Sequence, residues 1–364
     1  MTKYNAENER VKRKYFTFLK EAMRQNESTI DGVAKALARF EEFTKFRSFK
    51  AFHFDHAVAF KKNLAKQTGK SGKPLSKATL NTTLSALKRF FQWLYGQPGY
   101  KSRFKYTDAE YFNLSEKDVR IASAKRAKKH PTIEQIKHVL ETMPARNEVQ
   151  LRNRALVAFT MLTGARDSAV ASMRLKHVDI FEGSVYQDAR DVKTKFSKSF
   201  KTYFFPVGDD ARKIVEEWVR FLIEEKMWGG DDPLFPATLV KRGESKQFEV
   251  VGLDRRHWSN ASPIRRIFKD AFETAELSYY NPHSFRNTLV ELGEQLCHSA
   301  ESFKAWSQNL GHEKVMTTFV SYGEVEVERQ GKILRELDSS ENQKSDAELR
   351  NLTEKVLLEI RKAL

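Results

Sequence analysis

Hydrophobic positions recur along the first hundred residues at the three-to-four spacing of helices that bury one face. Val33, Leu37, Phe40 and Phe43 share a face of the segment from Asp31 to Phe46, with Asp31 placed to cap its amino end. The clearest case opens at Ser76, where Leu80, Leu84, Leu87, Phe91 and Leu94 form an apolar stripe and Lys77, Asn81, Lys88 and Gln92 lie elsewhere on the helix. Between these two lie a helical candidate from Asp55 to Lys66 and a loop marked by Gly69, Gly72 and Pro74. Residues 1–100 therefore read as a small helical bundle.

The pattern breaks between about Gly99 and His130. Residues 101–130 read as an interdomain linker ending in a basic run (AKRAKKH, 124–130) that could equally be a solvated surface. Pro131 and Thr132 open a new helix and, with it, a second domain over 131–335. Further helices are expected around Asn153 to Leu162, Ser168 to Arg174, Asp210 to Lys226 and from Pro263 to Ala275, where Pro263 stands at a favourable first-turn position. Another starts at Pro282. Residues 185–207 are rich in β-branched and aromatic side chains around a polar middle and read as a β-hairpin with its turn at Phe196 to Ser199. The tail, 336–364, carries Leu349, Leu352, Val356 and Ile360 at helical spacing, an amphipathic helix that could pack on its own domain or on a neighbouring subunit. The fold class is mainly α with a small β-hairpin: a helical bundle followed by an α+β domain.

Charge adds a partner. With 64 Lys and Arg against 48 Asp and Glu, the net charge is +16, which favours a polyanion, and nucleic acid is the commonest for a protein of this kind. No apolar run reaches the roughly 18 residues of a membrane-spanning helix, and the polar start (MTKYNAENER) lacks the core of a signal peptide; a cytoplasmic location is expected. The single cysteine, Cys297, reads as a small core residue.

Four short motifs in the second domain follow one another in a telling order. Thr163-Gly164-Ala165-Arg166 follows an apolar helix, and His283-Ser284-Phe285-Arg286 lies on the first turn of another. Leu310-Gly311-His312 is expected to begin a third, and Tyr322 falls ten residues after His312. In these motifs the chain resembles the tyrosine recombinases of the phage integrase family, over about 200 residues from Pro131 to roughly Gln330. The helical amino-terminal part resembles that family's core-site binding domain.

The resemblance implies a DNA strand transesterification without metal or ATP, through a 3′-phosphotyrosyl intermediate. Its chemistry makes sense of the residue types. Two guanidiniums, Arg166 and Arg286, can neutralise the non-bridging phosphate oxygens that otherwise repel a nucleophile. The Tyr322 phenol attacks, exchanging one phosphodiester for another so that a second DNA end can reverse the step. His283 is the candidate base, and His312 donates to the phosphate or supports that base. The family takes a proton for the leaving 5′ oxygen from a hairpin lysine. Lys195, just before the expected turn, is the choice here, with Lys198 and Lys193 as alternatives.

Two positions depart from the family's pattern. Ala169 stands where an acidic residue commonly follows the first arginine, and Asp167 faces another way on a helix; Asn287 replaces a supporting histidine. Neither change removes a reacting group. No set of carboxylates at ligand spacing lies near the motifs, so neither a metal-dependent nuclease nor a cofactor is expected. A type IB topoisomerase would share the chemistry, and a catalytically silent DNA-binding architectural protein would share the charge. The expected partners are double-stranded DNA at specific core sites and further copies of the chain, a tetramer on two sites.

Overall fold

The computed structural model describes residues 4–69, 72–124, 129–243 and 247–312. The chain divides into two compact units, Met1–Lys125 and Arg126–Leu364.

In the first unit, α1 (Ala6–Thr17) is capped by Asn5 and runs into a π turn at Phe18–Ala22. It is followed by α2 (Glu27–Phe43), α3 (Phe54–Lys66), α4 (Lys77–Tyr95) and α5 (Glu116–Ser123). Ser76 caps α4, its side chain accepting from the Thr79 N–H, and the apolar stripe read from sequence is the buried face. The start of α2 differs from expectation: Asn26, not Asp31, is the cap, because its carboxamide already accepts the Thr29 N–H and the added turn buries Ile30. The core is built of phenylalanines, with Phe52 stacked on Phe91 at 3.8 Å between ring centroids and Phe40, Phe60 and Phe112 around them.

Residues expected to belong to the linker fold back onto this unit. Phe104, Ala109 and Phe112 are buried in its core, and Lys88 pairs with Glu110 at 2.6 Å. Ala109 and Phe112 sit in a short 3-10 helix, Tyr106–Phe112, whose period hides them from a helix or strand pattern.

The second unit is organised around α7 (Glu148–Thr163), whose last nine residues are all buried. A helix that is apolar all round belongs inside a domain. Around it stand α6 (Ile133–Thr142), α9 (Asp209–Arg220, continuing through a π turn), α10 (Ser262–Thr274), α11 (Ser284–Leu296) and α12 (Ala300–Asn309). The short α8 (Asp167–Val170) follows α7 directly.

The expected hairpin is part of a three-stranded antiparallel sheet of β1 (Val178–Asp179), β2 (Ser184–Gln187) and β3 (Phe200–Tyr203). Its register pairs Gln187 with Phe200, so residues 188–199 form a long loop rather than a tight turn. A second antiparallel ribbon, β4 (Ala237–Arg242) and β5 (Phe248–Asp254), was not anticipated. Both its faces are largely exposed, so it lacks the alternation that marks a half-buried strand. Cys297 is half-buried at the carboxyl end of α11 rather than in the core. No described helix is long and apolar enough to cross a membrane.

Candidate active site around Arg286 and His312

The site begins where α7 ends. Thr163 bonds back through its hydroxyl to the Phe159 carbonyl at 2.7 Å, and Gly164 turns the chain into the left-handed region at φ +58°. A side chain here is excluded: a Cβ on Gly164 would lie 3.0 Å from both Leu289 Cδ1 and Leu310 Cδ2. The turn leaves the Gly164 carbonyl facing inward, where Arg286 Nη1 donates to it at 2.7 Å.

Arg286, on the first turn of α11, is only 2% exposed. Its Nη2 donates to the Leu310 carbonyl at 2.6 Å and lies 2.8 Å from His312 Nε2. One guanidinium thus joins three motifs, reaching Gly164 122 residues before it and Leu310 24 residues after it. Because a guanidinium has only donors, His312 Nε2 must be the acceptor, which places the proton of the neutral ring on Nδ1. Burial, then the positive charges of Arg286, Arg166, His283 and Lys195, push the His312 pKa down to about 4. The ring is neutral at physiological pH. Residues from three separate stretches therefore act on one imidazole.

Arg166 is half-buried at the amino end of α8. Asp167 turns instead to Arg265, 2.7 Å away, and Ala169 is buried. His283 is exposed at the start of α11, and Asn287 is buried one residue after Arg286. The Leu310-Gly311-His312 motif closes α12, with Gly311 at φ +71° as the stop signal; the helix it is expected to begin lies outside the described residues. A Cβ on Gly311 would meet the Phe200 ring at 2.6 Å, so this turn packs directly on β3.

Asn309 was missed from sequence. Its carboxamide accepts the Tyr203 N–H at 2.7 Å and donates to the Tyr203 carbonyl at 2.9 Å, while Thr202 Oγ1 donates to its backbone carbonyl at 3.0 Å. It fastens the His312 turn to the edge of β3. An asparagine just before a helix stop looks like an ordinary terminator, and only the partner strand reveals its role.

The three candidate lysines separate, and Lys201 stands apart from them. Lys195 is exposed and starts a short 3-10 turn, Lys195–Ser197, in the 188–199 loop. Its charge bears on His312, whereas that of Lys193 bears on His257. Lys198 is half-buried, and Lys201 lies in β3, paired with Glu182 at 2.5 Å. Tyr322 and the tail helix lie outside the described residues.

The chain's similarities to other proteins agree with this arrangement. Residues 129–329 match the model of the phage integrase family, and residues 13–97 match that of the phage integrase N-terminal SAM-like domain. Among relatives, the tyrosine recombinase XerC of Halalkalibacterium halodurans is 24% identical over 310 residues, covering 84% of this chain and 90% of that protein. XerC of Escherichia coli K12 is 23% identical over 265 residues, 72% of this chain and 74% of its own. In fold, the second unit and its neighbour resemble a lambda integrase fragment crystallised as a dimer on a core site, with a TM-score of 0.58 at 12% identity over 88% of this chain and 99% of that one. The XerH recombinase in a post-cleavage DNA complex gives 0.56 at 18%, covering 89% and 83%. With more than half its length matched by the catalytic-domain model, this chain belongs to the phage integrase family, the tyrosine recombinases.

Proposed function

We propose that the chain is a site-specific recombinase in which Tyr322 cleaves DNA and the residues gathered around His312 carry the chemistry. The observation that bears most weight is the buried Arg286, which holds the Gly164 turn and the Leu310–His312 turn in one place. That leaves Arg166 and Arg286 on neighbouring segments, as two cations that grip one phosphate require.

In this reading the Tyr322 phenol oxygen attacks phosphorus, its proton passing to exposed His283. A Tyr322 O–P bond forms and the P–O5′ bond breaks. The departing 5′ oxygen takes a proton from Lys195, and a 5′ hydroxyl from another strand later reverses the sequence. His312 is neutral, so it acts by donating Nδ1–H to a phosphate oxygen rather than by adding charge. The structures of relatives on core-site DNA, as a lambda integrase dimer and as a tetramer on a Holliday junction, support reading this chain as a DNA-bound oligomer. We assign the first unit, Met1–Lys125, to core-site binding, 131–335 to catalysis and the tail helix to a neighbouring subunit, four copies meeting on two sites in the cytoplasm at the nucleoid.

The test is a plasmid carrying two copies of the cognate site, selected by binding from the source genome. Recombinant products that require both sites and vanish in Tyr322→Phe support the proposal. Efficient relaxation of plasmids with no site would make it a topoisomerase instead.

A further inference from the structure

The loop that carries Lys195 is tied down between Asp188 and Lys193. Val192 is buried in the domain core, and its N–H donates to the Asp188 carbonyl at 2.7 Å. Asp191 pairs with Lys176 at 2.9 Å, and the Ala189 N–H reaches across the loop to Ser199 Oγ at 2.9 Å. The Thr194 N–H donates to the Val192 carbonyl at 2.7 Å, and the tie to α8 and the turn after it is made by Lys193. Its N–H donates to Ser172 Oγ at 2.8 Å, and its carbonyl accepts from Ser168 Oγ at 3.4 Å.

Ser172 is well placed to hold that peptide. The residue is 8% exposed, and its hydroxyl donates to the Ser168 and Ala169 carbonyls at 3.1 Å each while accepting from Lys193. A hydroxyl committed on both sides cannot rotate away, so the acceptor lone pair points at a fixed place. Ser172 also ends the short segment that starts with Arg166 at the head of α8. The element that presents a phosphate-binding arginine and the loop that presents the lysine therefore share one support.

We infer that Ser172 is a positioning residue that fixes the Lys195 ammonium relative to the phosphate bound by Arg166, through its bond to the Lys193 backbone; this rests on reading Lys195 as the proton donor. Reaction geometry is steep in this respect: a misplacement of about 1 Å can cost on the order of 100-fold in rate. Without the Ser172 hydroxyl the Lys193 N–H loses its acceptor, the peptide turns, and the turn is passed on to Lys195 two residues later. The defect should concern leaving-group protonation alone.

A leaving group that needs no proton isolates it. Cleavage by wild type, Ser172→Ala, Ser172→Cys and Lys195→Ala is timed on suicide DNA with an ordinary 5′ oxygen and on DNA whose bridging 5′ atom is sulfur. Ser172→Cys fills the same space but accepts a hydrogen bond poorly, so it keeps the test alive if the alanine variant does not fold. On ordinary DNA both Ser172 variants should lose roughly 10-fold or more, and on thiolate DNA they should match wild type, as Lys195→Ala does. Ser172 variants that cleave ordinary DNA at the wild-type rate, or that stay slow on thiolate DNA while Lys195→Ala is restored, overturn the positioning role. A Lys195→Ala enzyme that stays slow on thiolate DNA overturns the reading beneath it.

Discussion

Acidifying the protein should loosen the second unit through His312, and the size of the effect follows from its surroundings. In the unfolded chain a histidine titrates near ~6.5, while in the folded chain burial and the neighbouring cations hold His312 at about 4. Between those two values the unfolded state takes up a proton that the folded state refuses. The neutral ring thus favours the folded state fully above about pH 6.5, and the advantage is lost as pH falls toward 4. The difference amounts to at most about 3 kcal/mol. His312→Gln keeps an acceptor for Arg286 Nη2 and removes the titration. Urea unfolding of both proteins across this range measures the contrast. His56, His177 and His257, whose pKa values are also lowered mainly by burial, titrate in both proteins and cancel in the difference. Wild type should lose stability more steeply than His312→Gln as the pH falls. Parallel slopes would refute the argument.

Other consequences are equally open to measurement. Gly164→Ala forces a side chain into the left-handed region at φ +58° and against two leucines at 3.0 Å; it should lower stability by about 2–4 kcal/mol in denaturant titration, and a loss below ~1 kcal/mol would contradict the packing. Arg286→Lys cannot reach both the Gly164 and Leu310 carbonyls and a phosphate with one ammonium. Cleavage should fall by about 100-fold or more while gel-shift affinity for DNA changes little, and cleavage at the wild-type rate would remove Arg286 from the phosphate site. Lys201→Ala breaks an exposed pair with Glu182 and a cation–π contact with Tyr203 at 5.1 Å, so it should cost no more than about 1–2 kcal/mol and leave cleavage intact. A loss as deep as that of Lys195→Ala would shift the proton donor from the loop to β3.

What could be read from sequence was whatever has a period or a fixed spacing. The Ser76 cap and the Leu80–Leu94 stripe of α4 are local, and so are the Pro263 start of α10 and the motif order. The features that escaped depend on partners distant in the chain. The Tyr106–Phe112 turn buries Ala109 and Phe112 at a 3-10 spacing, β4 and β5 show no alternation because both faces are wet, and Asn309 acquires meaning only beside Tyr203. That the His312 motif also closes a helix escaped for a related reason: it is the Gly311 backbone at φ +71°, pressed against Phe200, that ends α12 beside β3. The length of the loop that carries the lysines was likewise hidden: a register pairing Gln187 with Phe200 makes residues 188–199 a long supported span in which the Lys193 backbone is held by Ser172.

The central claim is that Tyr322 becomes covalently joined to DNA. Suicide DNA carrying the cognate site, incubated with the protein in EDTA, should accumulate a covalent complex; proteolysis and mass spectrometry then identify the modified peptide. The account predicts a 3′-phosphonucleotide on Tyr322 and no complex in Tyr322→Phe. A nucleotide on any other side chain, a 5′-phosphate linkage, or a complex that forms only when magnesium is restored would contradict it.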